Sequence, residues 1–286
     1  MNIVNSTKSL VFAFALLIIS FGVSAQNQKP FFFIQMTDPQ FGFFTDNKDF
    51  KKETENFEKA IAIANKLRPA FVIVTGDLIN LPGDVVQINE YKRIVSLLDS
   101  SIPIYHVAGN HDITNDPKIA NIQAYRKEFG RDYFTIKKNG MYGIILNSLY
   151  FKSPAGVEQE AKAQDKWLRK ELKKAKHSGA SPLLIFQHHS WFLKDSDEKD
   201  AYFNIPLETR SRYLSLFNEY GVSHVFSGHY HRNSFGKSGL VEMITTGPIG
   251  KPLGEDPSGL RIVTVKEGKA SHQYYSLDSI PDHILL

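Results

Sequence analysis

Five short apolar runs, at residues 31–36, 71–74, 102–107, 183–186 and 222–226, each give way at once to a polar block. Runs of this length and composition read as strands buried on both faces. The blocks that follow them are Asp38-Pro39-Gln40, Gly76-Asp77, Gly109-Asn110-His111-Asp112, His188 and Gly228-His229-Tyr230-His231. Carboxylates, amides and imidazoles are thereby delivered to strand ends, where α/β sheets build their sites.

Between the runs the hydrophobic period changes. Residues 49–67 carry Phe57, Ala60, Ile61, Ala64 and Leu67 at helical spacing, with Pro69 as a stop. Residues 85–98 also read as a helix, so the chain starts β-α-β-α-β, the order of parallel strands joined by helical crossovers. After a helix near 119–129, segments 132–136 and 142–147 flank Lys138-Asn139-Gly140, a hairpin signal. A charged amphipathic helix is expected at 158–176, with Trp167, Leu168 and Leu172 on its apolar face, and another helix at 208–220. Beyond Leu240 the alternation predicts antiparallel strands at 240–245, 260–265 and 270–275. Two mixed sheets covered by helices fit this order better than one doubly wound sheet.

Nothing within the 286 residues marks a linker, so residues 26–286 are expected to form a single domain. The formal charge of +4 is small and interspersed, which argues against a nucleic-acid footprint or an anionic-membrane patch. With no cysteine there is no disulfide and no zinc–thiolate site, and any metal must be held by oxygen and imidazole. At the N-terminus, Lys8, an apolar stretch at 10–23 and Val23-Ser24-Ala25 have the layout of a cleaved signal peptide over residues 1–25. The stretch is short of the roughly 20 residues that a span needs. The expectation is an exported protein, periplasmic or secreted, with no membrane span after cleavage; an uncleaved N-terminal anchor is the alternative.

The donors suit a hydrolytic site with two metal ions. Their ordered blocks resemble the calcineurin-like metallophosphoesterases, closest to the calcineurin-like phosphoesterase domain-containing protein 1 branch. That branch shares Asp38-Pro39-Gln40-Phe41-Gly42, Phe186-Gln187-His188, Phe226-Ser227-Gly228-His229-Tyr230-His231-Arg232-Asn233, Asp256-Pro257-Ser258-Gly259-Leu260-Arg261 and Tyr274-Tyr275-Ser276-Leu277-Asp278. The likeness runs from about Phe31 to Ile280.

The resemblance implies a four-layer α/β/β/α sandwich and two divalent or trivalent ions, Mn, Fe, Zn or Mg. Asp38, Asp77 and His231 would bind the first ion, and Asp77, Asn110, His188 and His229 the second, with Asp77 as the bridge. A hydroxide shared by such a pair would attack phosphorus. His111 would serve as the protonated imidazole facing the leaving group, Asp112 could orient that ring and raise its pKa, and Arg232 could steer a phosphate oxygen. Asn80 and Asn233 lie close enough in sequence to support the ligands. Gln40 departs from the broad family, which has an imidazole there, although the branch shares it. It either ligates weakly or hydrogen-bonds a metal-bound water.

Taken singly, Asp38, Asp77 and the glycines could be turn or cap residues. All five blocks in order are a different matter. His106, His177, His224, His272 and His283 read as structural histidines, and His189 is ambiguous. The loop from Trp191 through Tyr202-Phe203-Asn204 is the candidate substrate-facing rim. The expected activity is hydrolysis of phosphomonoesters, on a phosphorylated small molecule or a phosphoprotein. A phosphodiesterase acting on a nucleotide or lipid head group is the rival enzyme. A metal-dependent phosphate-binding module without turnover is the rival from another class.

Overall fold

The computed structural model describes residues 28–286; the expected signal segment, 1–25, lies outside them. Two mixed sheets face one another. The first has five strands in the order β11-β10-β1-β2-β3, and the second six in the order β4-β5-β6-β7-β9-β8. The strands are β1 (Phe31–Met36), β2 (Val72–Val74), β3 (Ile104–His106), β4 (Phe134–Lys138), β5 (Met141–Ile145) and β6 (Leu183–Phe186). They continue with β7 (Val222–Ser227), β8 (Ser234–Ser238), β9 (Val241–Thr245), β10 (Gly259–Lys266) and β11 (Lys269–Ser276). The helices are α1 (Lys51–Leu67), α2 (Val85–Val95), α3 (Ile119–Phe129), α4 (Leu149–Lys152), α5 (Glu158–His177) and α6 (Leu207–Tyr220).

The Phe31-Phe32-Phe33 triplet shows how one strand serves two cores. Side chains alternate along a strand. Phe31 and Phe33 therefore join Phe71, Ile73, Phe186, Phe226 and Val263 between the sheets. Phe32, Ile34 and Met36 face the other way, onto Phe57, Ile61 and Ala64 of α1 and Tyr91 of α2. A third core covers the far side of the second sheet, where Leu168 and Leu172 of α5 and Tyr213 and Phe217 of α6 pack on β5, β6 and β7. The four layers α/β/β/α follow directly.

β1 is parallel to β2, and β2 to β3, as the opening β-α-β-α-β order requires. In the second sheet β5, β6, β7 and β9 run parallel while β4 and β8 are antiparallel edges. Gln35 is the polar residue inside the first apolar run, and it is fully buried between the layers. Its amide nitrogen donates to Thr75 Oγ1 at 3.0 Å and to the Ser227 carbonyl at 3.1 Å, while its oxygen accepts from Thr246 Oγ1 at 2.8 Å. The residue thus ties β1 to the end of β7 just below the site.

Two elements escape the sequence pattern. β8 holds a single large apolar residue, Phe235, and that side chain is exposed, so no alternation announces the strand. The four-residue α4 is too short to display a helical period.

Candidate metal centre

Asp38 and Asp77 emerge just beyond β1 and β2 of the first sheet, and His188, His229 and His231 just beyond β6 and β7 of the second. All five side chains are buried. They form two overlapping groups, Asp38–Asp77–His231 and Asp77–His188–His229, in each of which the donor atoms lie within 4.8 Å of one another. Asp77 belongs to both. Asn110 adds an amide oxygen 3.1 Å from His188 Nε2.

The backbone bends sharply to achieve this. Asp38, Gln40, Asp77, His229 and His231 have φ of 49°, 42°, 50°, 69° and 54°. Each such left-handed residue costs on the order of 1–3 kcal/mol, and strain of this kind concentrates at functional sites. Backbone bonds across the seam hold the bends: Asp38 N–H donates to the Gly76 carbonyl at 3.0 Å and Gln40 N–H to the Asp77 carbonyl at 2.9 Å. Glycine supplies the clearance. A Cβ on Gly228 would collide with Thr37 Oγ1 and Asp38 Oδ2, and one on Gly76 with the His188 ring.

Each candidate ligand histidine makes one bond that fixes its tautomer. A backbone carbonyl only accepts, so the ring nitrogen facing it carries the hydrogen and leaves a lone pair on the other. His188 Nδ1 donates to the Thr75 carbonyl at 2.8 Å, and its Nε2 lies 3.1 Å from Asp77 Oδ2. His231 Nδ1 donates to the Lys251 carbonyl at 2.6 Å, and its Nε2 lies 3.4 Å from Asp38 Oδ1. His229 is reversed. Its Nε2 donates to the Tyr202 carbonyl at 3.3 Å, which leaves Nδ1 as the free donor. Anchoring of the far nitrogen in this way is typical of metal-ligating imidazoles.

Electrostatics separates the rings. Burial opposes charge on His188, but contact with Asp77 outweighs it and raises the ring to about 9. His229 is pushed down to about 3 by burial and by the charge of His188. Burial acts against the charged form of His231 too, yet Asp38 raises it. The Asp77 carboxyl is held well below the usual range: burial works against the carboxylate, and the surrounding His188, His111 and His229 prevail.

Gln40 is buried beside these groups. Its Nε2 donates to Asn80 Oδ1 at 3.0 Å, and its Oε1 is buried without a protein partner. An unpaired buried oxygen costs about 1–3 kcal/mol, so this is a position for a cation or its water. The shared Asp77, the anchored imidazoles and the orphan oxygen together fit a metal-binding site of oxygen and nitrogen donors.

The structure places the other sequence candidates as follows. His111 is half-buried; its backbone N–H donates to Asp77 Oδ1 at 2.8 Å and its Nδ1 donates to the Asn80 carbonyl at 2.8 Å, leaving Nε2 for chemistry. Asp112 does not orient that ring, contrary to the expectation. Its carboxylate accepts from the backbone N–H groups of Leu78, Ile79 and Gly109 at 2.8, 3.2 and 2.8 Å, so it fastens the second block to the third. The adjacent position in sequence misleads because the Asp112 side chain turns back under the loop. Burial and the nearby Asp77 charge raise it to about 7. Arg232 is at the rim, its Nε donating to the Leu253 carbonyl at 2.8 Å and its guanidinium 5.0 Å from the centre of the Tyr230 ring. His189 belongs to neither donor group; its Nδ1 is 2.9 Å from Ser148 Oγ, and burial keeps the ring neutral.

Two partners of the candidate ligands had no separate signal in sequence. Tyr202 touches two of them: its carbonyl holds His229, and its hydroxyl accepts from Asn110 Nδ2 at 3.2 Å. The sequence marks its loop as a rim but not this clamp. Lys251 acts through its carbonyl, which any residue carries.

Residues 33–233 match the profile described as "Calcineurin-like phosphoesterase". The human protein "Serine/threonine-protein phosphatase CPPED1" is 37% identical over 269 residues, covering 88% of this chain and 86% of that one. Its counterpart from Danio rerio is 34% identical over 280 residues, covering 91% of each. Among solved structures, purple acid phosphatase PPD1 from yellow lupin superposes with a TM-score of 0.65 at 13% identity, over 88% of this chain and 52% of that one. A dimetal phosphatase from Danio rerio superposes with a TM-score of 0.55 at 15% identity, over 86% of this chain and 99% of that one. These superpositions share the two-sheet fold, and the sequence relatives share most of the chain. The chain belongs to the calcineurin-like phosphoesterase family.

Proposed function

We propose that this phosphoesterase hydrolyses phosphomonoesters at a pair of metal ions, and that it does so outside the cytoplasm. The observation that carries the two-ion reading is the membership of Asp77 in both donor groups. Asp38, Asp77 and His231 would hold one ion, with Gln40 Oε1 as a neutral fourth donor or a partner to bound water. Asp77, Asn110, His188 and His229 would hold the other. Ions in such a site acidify water and draw charge from phosphoryl oxygens.

The chain itself supplies the remaining functions. His111 keeps its Nδ1 hydrogen on the Asn80 carbonyl, so a proton on Nε2 is the one available to a departing alkoxide. Arg232, braced by Leu253 and Tyr230, offers a cation at the rim for a phosphate oxygen. The names of the CPPED1 relatives favour a monoester, including phosphoserine or phosphothreonine in protein. The Lys8-to-Ala25 pattern supports export.

Hydrolysis of p-nitrophenyl phosphate and of bis-p-nitrophenyl phosphate, measured with Mn²⁺, Zn²⁺ and Mg²⁺ in turn, tests the reaction. The monoester is expected to be the faster substrate. Preference for the diester would replace this reading with a phosphodiesterase, and phosphate binding without turnover would replace it with a binding module.

A further inference from the structure

A second cluster of donors lies away from the strand-end site. His224 of β7, Glu242 of β9 and His272 of β11 present one donor atom each, all within 4.8 Å of one another. His224 and Glu242 are paired neighbours in the second sheet, whereas His272 comes from the edge strand of the first. The cluster therefore straddles the seam between the sheets, with both imidazoles against Phe226.

Its hydrogen bonds leave something missing. Ser223 Oγ lies 3.2 Å from the Leu183 carbonyl, which can only accept, and 2.9 Å from His224 Nδ1. With the serine hydrogen on that carbonyl, His224 Nδ1 carries the ring hydrogen and Nε2 of the neutral ring is a bare lone pair. That lone pair faces Glu242 Oε2 at 3.5 Å. Two acceptors turned on each other repel unless a cation or a hydrogen donor sits between them. A proton would serve, but burial and the neighbouring Lys237 disfavour it on His224, despite the pull of Glu242. His272 is likewise held neutral, down to about 4, by burial and the adjacent Arg261 charge.

From this geometry we propose that His224, Glu242 and His272 form a separate zinc site joining the two sheets. Two imidazoles and one carboxylate from three rigid strands are a donor set suited to Zn²⁺. His272 would enter the coordination shell by giving up the Arg261 N–H now on its Nδ1 at 3.0 Å. Arg261 keeps Thr246 Oγ1 at 2.8 Å and Asn233 Oδ1 at 2.7 Å. Glu242 keeps its other oxygen on Lys237 Nζ, 2.6 Å away.

The full chain, dialysed to equilibrium against buffered Zn²⁺, is compared with His272→Gln and Glu242→Gln by metal analysis. Each variant is expected to hold one equivalent fewer than the wild type, and Zn²⁺ is expected to raise its Tm less. Because the reading is a difference, it stands whatever number of ions the strand-end site holds. Glu242→Gln preserves side-chain shape, so loss of folding in one variant leaves the other informative. Equal zinc content in wild type and either folded variant would overturn the site and leave a shared proton between His224 and Glu242.

Discussion

The side-chain oxygen of Asn80 accepts the Gln40 amide N–H at 3.0 Å, while the main-chain oxygen of the same asparagine accepts from His111 at 2.8 Å. One residue therefore holds both the candidate neutral donor Gln40 and the candidate acid His111. Asn80→Ala removes only the first of these bonds. Metal affinity is expected to fall about tenfold, in the range for loss of a group that orients a ligand. Titration calorimetry with Mn²⁺ measures it, and an unchanged affinity would show that Gln40 plays no part in holding the ion.

Asp77→Asn withdraws the charge common to both donor groups. Bound metal and activity should fall together, by more than the roughly 100-fold limit of an outer-group substitution. Metal analysis and p-nitrophenyl phosphate turnover on the same sample provide the check. Activity within a few-fold of wild type would break the two-ion reading.

His111→Gln should separate chemistry from binding. A general acid contributes about 10²–10⁴ in rate. The loss is expected to be largest for alkyl phosphates, whose leaving groups need a proton, and smallest for p-nitrophenyl phosphate. Metal content should stay at the wild-type value; a parallel loss of metal would recast His111 as part of the frame.

Tyr202→Phe deletes the hydroxyl that accepts the Asn110 amide and retains the carbonyl that holds His229. Metal affinity is expected to drop about tenfold through misorientation of Asn110. If only KM moves while affinity is unchanged, the phenol contacts substrate instead.

A pH test addresses the scaffold. Burial and the charge of Lys92 push His106 from 6.5 down to about 4, and its Nε2 has no partner. Between those values the unfolded chain takes up a proton that the folded chain refuses, so stability drops as pH falls from about 6.5 toward 4. His106→Phe, set among Tyr91 and Phe129, should flatten the Tm profile over that window. An unaltered profile would assign the acid sensitivity elsewhere.

Much of this arrangement is legible in the chain because strand burial and donor chemistry coincide. The runs before Asp38, Asp77, Asn110, His188 and His229 are apolar enough to mark strands, and a strand end fixes where the next side chain goes. Asp112 shows where that logic stops. Adjacency to His111 suggested a side-chain pair, but the direction of a carboxylate depends on which backbone N–H groups a turn exposes. Carbonyl partners such as Thr75, Tyr202 and Lys251 leave no trace in residue type. β8 fails for a related reason: an exposed edge strand is under no demand to alternate.

The left-handed bend at Gln40 has a consequence for how such a site can change. Its φ of 42° is secured by its own N–H on the Asp77 carbonyl, a bond that does not involve the side chain. The perch and the donor placed on it are therefore separable parts. On the reading that Gln40 faces the ion, exchange of its amide for an imidazole would change the donor and leave the main-chain bond that holds the bend in place.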